Sequence, residues 1–537
     1  VLCGLDINQH GIQLAACNMT LGAPTVDYAR MNLATMPHGP QSDGSPKAGS
    51  LEILTAASDA RDLRAMTAPR RSLETLDAGQ VDDSEEIRFP LHDLDAVIMN
   101  PPFTDNMKRG RKFGADFLKA MQRHELDIRD RLLARDPAAG QVITTDSVST
   151  FFIPLADQLL KGDKGFLATV IPATACTSAS GIDGRRFLAE RFHIEWIVTA
   201  HDPKRINFSE NTSIHECLLV CRRHSGGARP PTEFVSLRRM PDNANEALAV
   251  SDAIASGQAD EWGRAHRWPP DRILAGDWTP VQWYDGSLAD TVWELERRSE
   301  LEPLGLKHAI GPMGRAAQNS WKRCSVDEAQ QDERAVRIFD SISAKLRRTL
   351  AGKPEQWVVP GGGKRVHLWQ RILKQRSTLL VAERYNTVSG RLTAVHSEEP
   401  TFGFGWRPVA TTSREMSKAI CLWLNSTPGR LLLLNRRAKT LTYPQWSTAH
   451  WKEIPIPKGG LPRIRQLADA FEAIAKRELK PLQFAAADET RILIDEAVAP
   501  ILGLDSSKLA EWRRRLAAEP TINNARPAEQ DRHSKTN

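Results

Sequence analysis

The chain has 537 residues, a net charge of +6, and hydrophobic and charged fractions of 41% and 26%. That is length for about two to four domains with sizeable cores, in the composition range of ordinary globular proteins. No window approaches the roughly 18 consecutive apolar residues of a membrane span, and no signal peptide is visible. The first residue is Val1 rather than Met, and it leads directly into a strand-like segment, so an incomplete N-terminus is expected.

The first 224 residues alternate strand and helix patterns. Val1–Ile7 reads as a strand, and Gln9–Asn18 continues as a helix with Ile12, Leu14, Ala15 and Ala16 as its apolar positions. Ser50–Leu54 and Ala96–Met99 read as strands, Phe151–Leu160 as a helix, Gly165–Ile171 as a buried strand and Arg185–Arg191 as a short helix. Ile194–Thr199 and His215–Cys221 complete the strand set. This alternation predicts an α/β domain with a doubly wound, mostly parallel sheet, whose ligands sit at the carboxyl ends of strands. Asp6 and Asn100 both fall at such ends.

Residues 225–300, rich in Pro, Trp, Asp and Ala, read as a connector with short elements of its own. From Leu301 to about Lys458 the pattern changes to short strands, Gly turns and basic residues, an α+β region. Amphipathic helices follow at Leu461–Arg477, Glu489–Leu502 and Ser507–Ala518, and 523–537 reads as a disordered tail. No internal repeat is present. The seven cysteines are scattered, and only Cys217 and Cys221 are close, within one strand-like segment. They predict buried free thiols in a cytoplasmic protein, not metal ligands or disulfides.

Charge is uneven. Gly361–His450 holds 14 Lys/Arg against four Asp/Glu, so the remainder is slightly acidic. A local excess of one sign predicts a phosphate-facing surface, whereas a merely solvated face usually mixes both signs.

The most informative segment is Asn100-Pro101-Pro102-Phe103, after the apolar run Ala96-Val97-Ile98-Met99. Each proline fixes φ, removes a donor and disfavours helix in the residue before it. The loop is therefore stiff and extended, with carbonyls and no N–H groups beside them. The Asn100 side-chain oxygen and the Pro101 carbonyl suit an –NH2 group on a flat ring, and Phe103 suits stacking on that ring. By composition such a tetrapeptide arises by chance in roughly one chain in a few hundred of this length.

The segment Leu94 to Phe103 resembles the catalytic motif of amino-group methyltransferases that use S-adenosylmethionine, above all the adenine-specific (N6) DNA methyltransferases of restriction-modification and related defence systems. The resemblance covers about Val1–Arg223. It extends more loosely to Leu424-Asn425-Ser426-Thr427-Pro428-Gly429 and Trp451-Lys452-Glu453-Ile454-Pro455-Ile456-Pro457, which resemble target-recognition parts of modification enzymes. It implies a methyltransferase catalytic domain over 1–224 whose sheet lacks its first strand, a target-recognition and DNA-binding region over 301–460, and a helical region over 461–522.

The resemblance also implies site residues. An acidic residue that holds the ribose hydroxyls of the cofactor is matched by Asp6 in Gly4-Leu5-Asp6-Ile7, which brings Ile7 to the same site; a strand-end Asp also serves as a plain helix cap. An acid near the cofactor's adenine falls in Gly49-Ser50-Leu51-Glu52, with Ser50 at its position. Asn100 accepts from the target amine, and Phe103 and Phe208 stack on the flipped base, although a loop Phe before a strand also packs as an edge residue. Lys108, Arg109, Arg111 and Lys112 suit phosphates near that base, or simply solvent. Arg436, Arg437 and Lys439 are the phosphate contacts expected in the basic stretch.

The family's glycine-rich cofactor loop precedes the ribose acid and has no counterpart here. Gly361-Gly362-Gly363-Lys364 lies far downstream and is no substitute. Weak or absent cofactor binding by this polypeptide alone is therefore expected. The same catalytic loop serves enzymes acting on RNA bases or a protein glutamine, and a non-catalytic DNA-binding remnant is a further alternative. Size and charge favour double-stranded DNA. No Asp…Glu-x-Lys nuclease pattern is evident, so any nuclease is expected either upstream of these residues or on a partner, a restriction or other defence-system subunit.

Overall fold

A computed structural model describes residues 3–22, 25, 32–56, 91–102, 114–143, 148–162, 164–202, 205–209, 215–311, 320–339, 348–361, 366–385, 390–438 and 444–523. The fold is mixed α/β and divides into two compact units, one of 1–197, 217–233 and 267–277, the other of 198–216, 234–266 and 278–537.

In the first unit, β1 (Cys3–Asp6) leads into the helix Gln9–Gly22, and β2 (Asn32–Thr35) returns parallel to it, with Asp6 opposite Thr35. A hairpin of β3 (His38–Pro40) and β4 (Pro46–Ala48) follows. The expected strand at Ser50–Leu54 is instead a 3-10 helix, Gly49–Thr55. Gly49, at φ +67°, turns the chain out of β4, and Glu52 Oε1 accepts the Ala48 N–H at 2.9 Å. Leu51, Ile53 and Leu54 are all buried, so the apolar signal was real but its period ambiguous, as it is for any short run.

β5 (Ala96–Met99) pairs in parallel with β6 (Phe166–Pro172), from Ala96 opposite Phe166 to Met99 opposite Thr169. The connection includes the helices Ala115–Arg135, Pro137–Val142 and Phe152–Leu159. β7 (Phe192–Ala200), β8 (Glu216–Arg223), β9 (Thr232–Leu237) and β10 (Gly263–Trp268) extend the sheet in the order β10-β9-β7-β8-β6-β5. The Arg223 N–H donates to Gly165 O at 2.7 Å and the His224 N–H to Arg191 O at 3.0 Å. The end of β8 thus lies beside the starts of β6 and β7, and β8 runs against both, which makes the sheet mixed. Two further expectations change. Among the described residues β1 and β2 form a sheet of their own, and the 225–300 segment contributes β9 and β10 to the six-stranded sheet.

Among the described residues, three more sheets lie within the second unit. Its strands are β11 (Leu301–Pro303), β12 (Ala309–Ile310), β13 (Trp321–Arg323), β14 (Val336–Ile338) and β15 (Ala351–Gly352). They continue with β16 (Gln356–Pro360), β17 (Ser377–Ala382), β18 (Ala394–Thr401), β19 (Trp406–Ala410) and β20 (Pro455–Pro457). Sheet orders are β12-β19-β17-β18-β15, β13-β16-β14 and β11-β20. Three buried tryptophans tie elements of the region together through their N–H groups, which donate to carbonyls: Trp423 to Pro455, Trp446 to Leu433 and Trp451 to Ala382.

Asn425-Ser426-Thr427 joins the helices Arg414–Asn425 and Thr427–Asn435. Ser426 Oγ accepts the Gly429 N–H, and Asp495, itself buried, takes the Thr427 N–H and hydroxyl at 2.8 and 2.7 Å. Helices Leu461–Ile474, Glu489–Leu502 and Ser506–Ala518 follow. Of the expected tail over 523–537, Asn523 instead ends the helix Pro520–Asn523, and 524–537 lie outside the described residues.

Candidate active site

The Asn100 loop is aimed by the strand beneath it. Leu94 N–H donates to Leu159 O, Lys161 N–H to Leu94 O and Phe166 N–H to Asp95 O, at 2.9, 3.1 and 2.9 Å. The Lys161 ammonium also pairs with the Asp95 carboxylate and holds it below the usual carboxylate range, through the hydrogen bond first and the charge second. The ladder runs to Met99 opposite Thr169 and the strand ends there. Asn100 is exposed, Pro101 buried and Pro102 exposed. A buried proline at the first step past the ladder fixes the exit of the chain without leaving an unmet N–H. Phe103, Lys108, Arg109, Arg111 and Lys112 lie outside the described residues.

Asp6 ends β1 with its side chain exposed. Its Oδ1 accepts the Asn8 N–H at 2.6 Å, and Asn8 Oδ1 accepts the His10 N–H at 3.1 Å, so the two side chains cap the start of the Gln9–Gly22 helix in turn. Oδ2 lies over Gly11, where a Cβ would stand 3.3 Å away. Ile7 is 50% exposed, and its Cγ2 would be 3.1 Å from a Cβ on Gly49. The structure therefore brings Asp6 and Ile7 beside the turn that begins Gly49-Ser50, and Ser50 is half-buried. The nearby acid, Glu52, is engaged: besides the Ala48 N–H, its Oε1 lies 2.7 Å from His124 Nε2. No spacing rule in the sequence links His124 to Glu52.

Phe208 belongs to the second unit and is half-buried. Its N–H and that of Ser209 both donate to Glu216 Oε2, at 2.9 and 2.7 Å.

The basic stretch behaves differently from its composition. Arg437 is 2% exposed. Its guanidinium lies 5.0 Å from the Trp283 ring and donates to Gln282 O at 2.6 Å, while Gln282 Nε2 donates back to Arg437 O at 3.0 Å. Burial pulls its pKa down to about 10. Arg436 is half-buried in an ion pair with Glu296. Neither residue is placed for the phosphate contact expected of it, because desolvated or already paired guanidinium groups serve the interior. Lys439 lies outside the described residues. Arg407 and Arg430 are buried as well. The exposed cations of the described part of the stretch are Arg371, Lys374, Arg376, Arg384 and Arg414.

Among the described residues no group of three or more His, Cys, Asp or Glu could hold a metal ion, and no helix is long and apolar enough to cross a membrane. All seven cysteines are free thiols, but only Cys176, Cys217, Cys221 and Cys421 are buried as expected; Cys17 is exposed and Cys3 and Cys324 are half-buried, and burial pushes the thiols of Cys221 and Cys421 far up.

No protein-family model matches the chain, and no curated protein matches it. Its neighbours among solved structures are restriction-modification methyltransferases and related enzymes. One is the type IIG restriction endonuclease BpuSI, at 13% identity and a TM-score of 0.32, covering 80% of this chain and 54% of that one. Another is the methyltransferase subunit of a type I restriction-modification system from Streptococcus thermophilus, at 16% identity and a TM-score of 0.31, covering 52% of this chain and 47% of that one. A third is the type IIL restriction-modification enzyme MmeI in complex with DNA, at 10% identity and a TM-score of 0.42, covering 79% and 56%. The chain thus spans about half the length of the solved proteins it is similar to.

Proposed function

We propose that this chain directs methyl transfer from S-adenosylmethionine to the exocyclic amino group of adenine in a specific duplex DNA sequence, with the base flipped out of the helix. The observation that carries the reading is the placement of Asn100-Pro101-Pro102, an exposed amide followed by a buried proline, directly past the last ladder pair of a parallel strand. Adenine's amino lone pair is delocalised into its ring, so the nitrogen is a poor nucleophile. The Asn100 side-chain oxygen and the Pro101 carbonyl accept from its two hydrogens and favour the pyramidal geometry that frees the lone pair. That is positioning and electrostatic stabilisation and needs no strong base. Phe103 and Phe208 stack on the extruded base and offset part of the few kcal/mol that unstacking costs.

S-adenosylmethionine, when bound, supplies an electrophilic methyl group. The residues present fit one part of it. The Asp6 carboxylate keeps Oδ2 over a glycine while Oδ1 holds Asn8, which leaves an acceptor for vicinal hydroxyls, and Ile7 and Ser50 flank it. Exposed cations such as Arg371 and Lys374 take over the phosphate role first expected of Arg436 and Arg437, and a restriction or other defence subunit is the proposed protein partner.

Sequencing host DNA for modified adenines with and without this gene is the test. Gene-dependent methyladenine in one sequence context is expected, and Asn100→Ala abolishes it. DNA with no gene-dependent modification would reject the reading, while modification of RNA or of a protein glutamine instead would redirect it.

A further inference from the structure

Glu216 opens β8, and its side chain is completely buried, at 0% exposure. Removing a carboxylate from water is unfavourable unless charge-assisted hydrogen bonds offset it. Its Oε2 accepts two consecutive backbone N–H groups, those of Phe208 and Ser209, and its Oε1 has no hydrogen bond among the described residues. The two loop amides are therefore the hydrogen-bond partners that this buried carboxyl group has among the described residues.

The start of β8 beneath these amides is closely packed. His215, 1% exposed, lies with Nε2 3.0 Å from Ala200 O at the end of β7. Its ring meets His201 edge-on at 6.0 Å, and His201 meets Tyr284 at 5.9 Å. Thr199 Oγ1 is 3.1 Å from His201 Nε2. Phe208 itself is only half-buried, so its own packing leaves part of the ring open while the carboxylate fixes the backbone that carries it.

We propose that Glu216 is a positioning residue that acts through Phe208: it fixes the Phe208–Ser209 backbone so that the ring is already oriented when it stacks on the extruded base. The inference rests on the adenine methyltransferase reading for the identity of the ring's partner. Preorientation removes ordering cost at the moment of binding and keeps reacting groups within the narrow geometry that transfer requires.

The test combines amide exchange with a double-mutant cycle on the protein expressed in its host, using a duplex that carries the sequence identified by DNA sequencing. Glu216→Ala should speed exchange at Phe208 and Ser209 by about 100-fold. Glu216→Gln, which keeps an acceptor oxygen for both amides, should restore most of the protection and covers the case in which the alanine variant does not fold. Single-turnover methylation should slow by about 10- to 100-fold in Glu216→Ala and in Phe208→Ala, with DNA affinity within about threefold. The double variant should be no more than about twofold slower than Phe208→Ala alone. Unchanged exchange, or losses that multiply in the double variant, would overturn the proposal. A Phe208→Ala variant at the wild-type rate would overturn the stacking role. Wild-type protein that protects both amides yet leaves adenine unmodified in every duplex would overturn the methyltransferase reading instead.

Discussion

The Asn100 loop and the Arg436-Arg437 turn carry opposite lessons about polar residues. Both were singled out from sequence, the first for the order of its residues and the second for their charge. The first stands at a strand end with its amide exposed, while the second turns one guanidinium onto Trp283 and pairs the other with Glu296. Residue order constrains the backbone directly, because two prolines dictate φ and donor content wherever they occur. A count of charges constrains nothing about direction, since an arginine stem lies as readily along a buried surface as it reaches into water.

Four experiments would break or sharpen that contrast. Asn100→Ala should lower methyl transfer by about 1000-fold and leave stability within about 0.5 kcal/mol, as expected of an exposed side chain; labelled-methyl incorporation and a thermal melt measure the two. Substantial residual turnover would break the loop's side of the comparison. Arg437→Ala should do the reverse and destabilise the fold by about 2–4 kcal/mol, read as a lower urea midpoint, because it empties the site over Trp283 and strips Gln282 of its donor. A fully stable variant with weakened DNA binding would show that this arginine faces outward after all.

A buried imidazole extends the contrast to pH. His396 is 3% exposed, with Nδ1 2.9 Å from Ser417 Oγ, and burial lowers its pKa from 6.5 to about 4. The folded state therefore resists a proton that the unfolded chain accepts. The contribution is fully present above about pH 6.5 and is lost as pH falls toward about 4, a change of about 3 kcal/mol. His396→Gln should flatten stability over that window in chemical denaturation, and an equally steep profile would assign the pH dependence elsewhere. The smallest effect is expected on the surface. Neutralising Arg371 and Lys374 together should reduce the slope of log affinity against log salt by about 2 with stability unchanged, whereas an identical slope would mean that the helix Val366–Lys374 points away from DNA.

Much of the first unit was legible in the sequence. The helix from Gln9 and the strand Ala96–Met99 follow from apolar spacing and from glycine and proline punctuation, and the expected Gly165–Ile171, Arg185–Arg191 and Ile194–Thr199 fall on the observed Phe166–Pro172, Ile182–Arg191 and Phe192–Ala200 with shifted ends. The segment Ser50–Leu54 reads equally as strand or helix because alternate burial of Leu51 and Ile53 suits either, and the Glu52 bond back to Ala48 decides for the tight helix. Pairing was less legible than element type. Nothing in Val1–Ile7 says that it pairs with Asn32–Thr35 in a separate sheet, and the composition of 225–300 hides two strands of the main one.

What the sequence determined by itself is local: a strand that must stop at Asn100, an extended exit through two prolines, an acid that both ends β1 and starts a helix, and an excess of cations between Gly361 and His450. Each follows from covalent neighbours and needs no distant contact. Only the tertiary structure decided which of those cations meet water, that His124 reaches Glu52 across 72 positions, and that a buried Glu216 grips the Phe208 backbone. Burial is set by residues far apart in the chain, and for an ionisable side chain burial decides whether its charge faces solvent or holds the interior together.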